Sequence, residues 1–135
     1  MLLIDTSIWI DFFNDGTSTC AQFLETALLG HLPVCINAVI EMEILQGVRE
    51  DRAFKETKSY LESFQYFPEI TSAYFDLSVE IYRECRKKGI TVRRSLDCII
   101  AANGLIDGLT IVHCDRDFDN IKKVYPKLGT IKIAR

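Results

Sequence analysis

Short apolar runs alternate with longer amphipathic stretches along all 135 residues of this chain, and that rhythm leaves few folds open. Leu2-Leu3-Ile4, Val34-Cys35-Ile36 and Thr110-Ile111-Val112-His113 read as short buried strands, while residues 130–133 alternate like an edge strand. Between them the spacing predicts helices. Ser7 is placed to cap one that carries Ile8, Trp9, Phe12 and Phe13. A second runs over Thr19–Leu29 and is stopped by Gly30. Asn37 caps a third over Ala38–Gln46, ending at Gly47. Others cover 51–64, Ser72–Lys87 up to Gly89, 95–106 closed by Gly108, and a short stretch over 118–124. An apolar turn is expected at Tyr66-Phe67-Pro68. Strands separated by helices predict an α/β fold with a mostly parallel sheet covered on both faces.

Length and a 48% hydrophobic content suit one domain, residues 1–135, with a single well-buried core. The longest apolar runs fall far short of the roughly 20 residues that span a bilayer, and no basic segment precedes an apolar one at the start. A soluble protein without an export signal is expected. Five cysteines, Cys20, Cys35, Cys85, Cys98 and Cys114, include no C-x-x-C pair. Their apolar surroundings predict reduced packing residues and a cytoplasmic location.

Four acids stand where acids are costly. Asp5, Glu43, Asp97 and Asp115 each lie in or directly beside an apolar stretch, and a buried unpaired carboxylate costs several kcal/mol or shifts its pKa until neutral. A hard divalent cation is the simplest reason for all four. In parallel sheets, sites form outside the carboxyl ends of the strands, where Asp5 and Asp115 stand. Glu43 shares a helix face with Val39, Ile40 and Gly47, and Asp97 shares one with Ala101, Gly104 and Gly108, small residues that permit close approach. Each acid also has a plainer reading: Asp5 as a helix cap, Glu43 as a surface residue, Asp97 as a dipole partner, Asp115 as a turn former.

Other chemistries lack support. His31 and His113 share no zinc-ligand spacing with cysteine, and no Ser-His-Asp order, phosphate-binding loop or G-x-G-x-x-G motif occurs. A net charge of −3 argues against coating nucleic acid by bulk positive charge. Local patches remain: Arg83, Arg86, Lys87, Lys88, Arg93 and Arg94 crowd together, and Lys122, Lys123 and Lys127 form a second group. The first group reads equally as a solvated helix end or as a grip on a nucleic-acid backbone. Trp9, Phe12 and Phe13 are most simply core.

Asp5-Thr6-Ser7 after an apolar strand, Glu43-Ile44-Leu45-Gln46-Gly47, Ser95-Leu96-Asp97-Cys98-Ile99-Ile100-Ala101-Ala102 and Asp115-Arg116-Asp117-Phe118 together resemble the PIN-domain family. The likeness is to the small VapC-type toxins of toxin–antitoxin pairs, and it spans nearly the whole chain in order. It implies a three-layer α/β/α PIN-like fold, Mg²⁺- or Mn²⁺-dependent endoribonuclease activity, homodimers, and inhibition by a small antitoxin. Carried over residue by residue, Asp5, Glu43, Asp97 and Asp115 match the family's four acids as metal ligands and catalytic residues. Ser7, with Thr6, matches the hydroxyl positions beside the first acid. Asp117 and Asp119 compete with Asp115 for the fourth role. Many relatives have Thr two residues before that acid, where this chain has His113. On this reading Arg83, Arg86, Lys87, Arg93 and Arg94 are the residues to grip RNA. Two rivals are a structure-specific DNA nuclease using the same acids, and a non-catalytic Mg²⁺-binding regulatory module. The former's long DNA-gripping insertions are absent, and the lysine after a late strand that a receiver needs is replaced by Asp115.

Overall fold

The computed structural model describes every residue except 68. Its elements run β1 (Leu2–Ile4), α1 (Thr6–Asn14), α2 (Thr19–Leu29), β2 (Val34–Asn37), α3 (Ala38–Gln46) and α4 (Asp51–Leu61). Then come β3 (Gln65–Phe67), α5 (Ser72–Lys87), α6 (Ser95–Asp107), β4 (Thr110–His113), α7 (Arg116–Val124) and β5 (Gly129–Lys132). All five strands pair in parallel, in the order β3-β2-β1-β4-β5. The register sets Leu3 beside Cys35 on one side and beside Ile111 on the other, and all three are fully buried. Burial on both faces explains why these strands are apolar throughout rather than alternating.

Strand order decides where the helices go. From β1 the chain steps outward to β2 and β3, then returns to β4 on the opposite side and continues to β5. Right-handed crossovers therefore put α1–α4 on one face and α5–α7 on the other. The packing agrees: α1 meets α2 and α3, and α3 meets α4, while α5, α6 and α7 pack against one another. The direction of winding reverses between β1 and β4, so a crevice opens beyond their carboxyl ends.

Several expectations shift in detail. The turn expected at Tyr66-Phe67-Pro68 is overturned for its first two residues, because Gln65–Phe67 pair with Cys35, Ile36 and Asn37 as β3. An edge strand needs only one partner, so three residues suffice; Pro68 lies outside the described residues. Helix α1 begins two residues earlier than a cap at Ser7 would allow, since Asp5 is its cap. Helix α4 stops at Leu61, α7 starts at Arg116 under the cap of Asp115, and β5 lies one residue earlier than its alternation suggested. Gly108 ends α6 in the left-handed region at φ 65°, a conformation glycine adopts without a Cβ clash. Among the described residues no helix is long and apolar enough to cross a membrane.

Candidate functional site

Backbone pairing carries the first acid into the crevice. The Asp5 N–H donates to the Val112 carbonyl at 2.9 Å, continuing the β1–β4 ladder one residue past β1. Its carboxylate then accepts from Ser7 Oγ at 2.8 Å and caps α1. The cap reading and the site reading of Asp5 are thus one arrangement. Burial pushes its pKa up, against the hydrogen bonds from Ser7 and from the Thr6 and Ser7 backbone.

Glu43 comes from the buried face of α3, where Thr6 Oγ1 donates to its Oε1 at 3.1 Å. Asp97 comes from the first turn of α6 and is 1% exposed. Asp115 caps α7, accepting from the Asp117 N–H at 2.9 Å. A fifth acid joins them. Asp117 is also 1% exposed, and it accepts from the Arg93 backbone N–H at 3.2 Å, tying the loop before α6 to α7.

Asp97, Asp115 and Asp117 each offer a carboxylate oxygen, all within 4.8 Å of one another. Asp97 has its pKa pushed up to about 7, first by burial and then by the charges of Asp5, Asp115 and Asp117, with Arg94 opposing. Glu43 is raised too, by burial foremost, with Arg94 and Thr6 opposing and Asp5 adding. Asp97 Oδ2 is buried without any hydrogen-bond partner. An orphaned carboxylate oxygen facing like charges is costly unless something positive completes it. An all-oxygen set of this kind fits a hard divalent cation.

The PIN domain family model matches residues 2–124. This chain belongs to the PIN domain family. Ribonuclease VapC11 of Mycobacterium tuberculosis is 33% identical over 127 residues, covering 92% of this chain and 93% of that protein. VapC ribonuclease Mb1587 of Mycobacterium bovis matches to the same extent. Among solved structures, DNA-bound VapBC from Salmonella typhimurium superposes with a TM-score of 0.76 at 20% identity, covering 97% of this chain and 96% of the other. VapBC2 from Rickettsia felis, bound to a promoter DNA fragment, gives 0.75 at 17% identity with 97% of both chains covered. At those identities the structures speak for the fold.

In this PIN domain the expected cationic group divides. Arg93 and Arg94 turn into the acids: Arg93 Nη2 lies 2.7 Å from Asp115 Oδ1 and its Nε 3.4 Å from Asp117 Oδ1. Arg94 contacts Glu43 Oε2, and its Nε lies 4.0 Å from Asp97 Oδ1. Arg83, Arg86 and Lys87 sit instead on α5, where Arg86 lies over the Tyr82 ring and Lys87 pairs with Glu84. Sequence reasoning held Asp117 only as a substitute for Asp115, whereas both face the cluster. The signal was present, since Asp115 as cap and Asp117 two residues on occupy the same helix start. His113 is fully buried against Phe118, and both ring nitrogens lack hydrogen bonds. Burial holds its pKa down, in keeping with a packed neutral imidazole. Trp9 is core, as expected, while Phe13 reaches the surface within an aromatic group that includes Phe12, Tyr60 and Phe64.

Proposed function

We propose that this chain is a divalent-metal-dependent endoribonuclease, the toxin of a toxin–antitoxin pair. Its curated relatives include proteins named VapC ribonuclease and Ribonuclease VapC11, and its solved neighbours include VapBC complexes. The observation that carries the reading is the unpartnered, buried Oδ2 of Asp97 amid Asp115 and Asp117. Asp97, Asp115 and Asp117 would hold Mg²⁺ or Mn²⁺, with Asp5 and Glu43 completing the acidic wall. Such an ion, when bound, lowers the pKa of a coordinated water and offsets charge on the phosphate undergoing attack.

The chain's own groups prepare that chemistry. Ser7 Oγ donates to Asp5 and fixes the carboxylate's orientation, as Thr6 does for Glu43. Asp5 and Asp115 are also pinned as helix caps, so the acids are preorganised by backbone. Residues 1–135 act together as one nuclease domain in this reading, in a cytoplasmic homodimer that a small antitoxin holds inactive.

The test is direct. Purified protein is incubated with mixed RNAs and matched DNA strands in Mg²⁺ or Mn²⁺, alongside chelator and the Asp97→Asn variant. RNA cleavage that chelator and Asp97→Asn both abolish is the expected result. Cleavage surviving the substitution would falsify the reading, and cleavage of DNA alone would replace it with the DNA nuclease.

A further inference from the structure

Asp115 and Ser7 line a second hollow, a cleft of about 480 Å³ whose walls also include Arg93, Arg116, Lys132 and Arg135. These cations come from separate places: the loop before α6, the start of α7, the end of β5 and the segment beyond it. On a chain of net charge −3, four cations around one opening are a local concentration of positive charge. None of Arg83, Arg86 and Lys87 lines it.

Two of the cations are held by acids that do not themselves line the cleft. Lys132 pairs with Asp119, and Arg135 Nη2 lies 3.4 Å from Asp11. Thr19 Oγ1 donates to the Ala134 carbonyl at 2.6 Å, fastening the segment that carries Arg135 against the start of α2. Arg116 is exposed and makes no ion pair among the described residues. Arg93 lines the cleft while pairing with Asp115 and Asp117 of the cation site, and so joins the two.

We infer that this cleft seats a backbone phosphate of single-stranded RNA, next to the phosphate undergoing cleavage. The inference rests on the ribonuclease reading and adds to it where the strand lies. Three guanidinium forks and one ammonium match a phosphate's oxygens in geometry and charge, and a contact of this kind sets position without reading sequence. A duplex would need a broad basic surface, which the chain's overall charge does not provide.

The test measures binding and cleavage separately. Anisotropy of a labelled single-stranded oligoribonucleotide is followed against salt, using the whole chain carrying Asp97→Asn in Mg²⁺ so that the strand survives. Arg116→Gln and Lys132→Gln should each weaken binding roughly five- to tenfold and reduce the log–log salt slope by about 0.7, the increment for one phosphate contact on a single strand. Arg116→Lys should restore the slope, and Arg52→Gln, on the far-placed α4 pair with Glu56, should change neither quantity. RNA bound with unchanged affinity and slope by the cleft variants overturns the inference. If the chain with its acids intact still cleaves RNA in that case, the ribonuclease reading stands without the cleft; if it neither binds nor cleaves RNA, both fall.

Discussion

The guanidinium of Arg94 reaches from the residue before α6 to Glu43 on α3, with Asp97 Oδ1 4.0 Å from its Nε. One cation belonging to the chain thus bridges Asp97, which would hold a divalent ion, and Glu43 in the acidic wall beside it. Because the Arg94 side chain is 46% exposed, solvent screens much of its attraction, and its removal is tolerable. Arg94→Gln should therefore tighten Mn²⁺ binding roughly five- to tenfold, about 1 kcal/mol, by removing a competing charge near the acids. Calorimetric titration with Mn²⁺ checks this. Unchanged or weaker affinity would mean that Arg94 helps to assemble the site rather than competing for it.

Asp97 gives the metal-free protein a pH dependence of definite sign. Its pKa is raised from 3.8 to about 7, by burial first and by Asp5, Asp115 and Asp117 next, so between those values the folded state keeps a proton that the unfolded chain has lost. Stability then falls as pH rises through that window, and the full penalty is present above about 7. In chelator, the Tm should climb from pH 8 to pH 5.5. Asp97→Asn should raise the Tm at pH 8, by an amount on the order of 1–3 kcal/mol in stability, and flatten most of the slope. Asp5 and Glu43, raised in the same direction, leave a residual slope. With Mn²⁺ present the trend should reverse, since the ligands bind as carboxylates. A variant less stable than the parent at pH 8 in chelator would contradict the account.

What could be read from the sequence was set by local physics. Helices α2, α3 and α5 have the bounds that their caps and glycines indicated, because a cap or a stop is a property of a few consecutive residues. The approach of Asp97 to Asp115, with Asp5 near enough for its charge to act on Asp97 and Glu43, was legible because each carboxylate stood among residues that only a core would want. Strand β3 was not legible: Gln65–Phe67 becomes a strand only by lying beside β2, a long-range pairing that three residues do not encode. The fates of Arg93 and Arg94 were equally hidden. Charge in a loop shows that a cation exists, and only the folded contacts of α6 with α7 and with α3 show which acids each one faces.

The small residues on α6 make a prediction of their own. A Cβ at Gly104 would lie 3.1 Å from Ile111 Cδ1 and 3.2 Å from Leu128 Cδ1, so α6 rests almost directly on β4 and on the residue before β5. Both contacts are tips of flexible side chains, and alanine is the better helix former by about 1 kcal/mol, so Gly104→Ala should be nearly neutral. Gly104→Val should cost about 1–3 kcal/mol by overpacking, and should push α6 and its Asp97 outward. Urea unfolding with Mn²⁺ affinity measured in parallel decides the matter. A valine variant with parental stability would show that α6 can shift freely.

A buried amide pair holds the two helix-borne acids at a fixed separation. Asn37, fully buried, caps α3 by accepting from the Ile40 N–H at 2.9 Å, and its Nδ2 donates to Asn103 Oδ1 on α6 at 3.0 Å. Asn103 in turn donates to Asp107 Oδ2, so every member of the chain of bonds is satisfied. The pair thus couples the start of α3, which carries Glu43, to the middle of α6, which carries Asp97. Asn37→Ala removes a cap and leaves Asn103 Oδ1 without its donor in a dry interior, at a combined cost of about 2–4 kcal/mol. Loosening α3 against α6 should also weaken Mn²⁺ binding, although Asn37 is not among the acids. Asn37→Asp keeps the α3 cap but places a carboxylate against Asn103 Oδ1, and should be as destabilising at neutral pH while recovering in acid as the new group protonates. Chemical unfolding at pH 5 and pH 8 separates the two substitutions. If both variants keep parental stability, the amide pair does not set the spacing of Glu43 and Asp97.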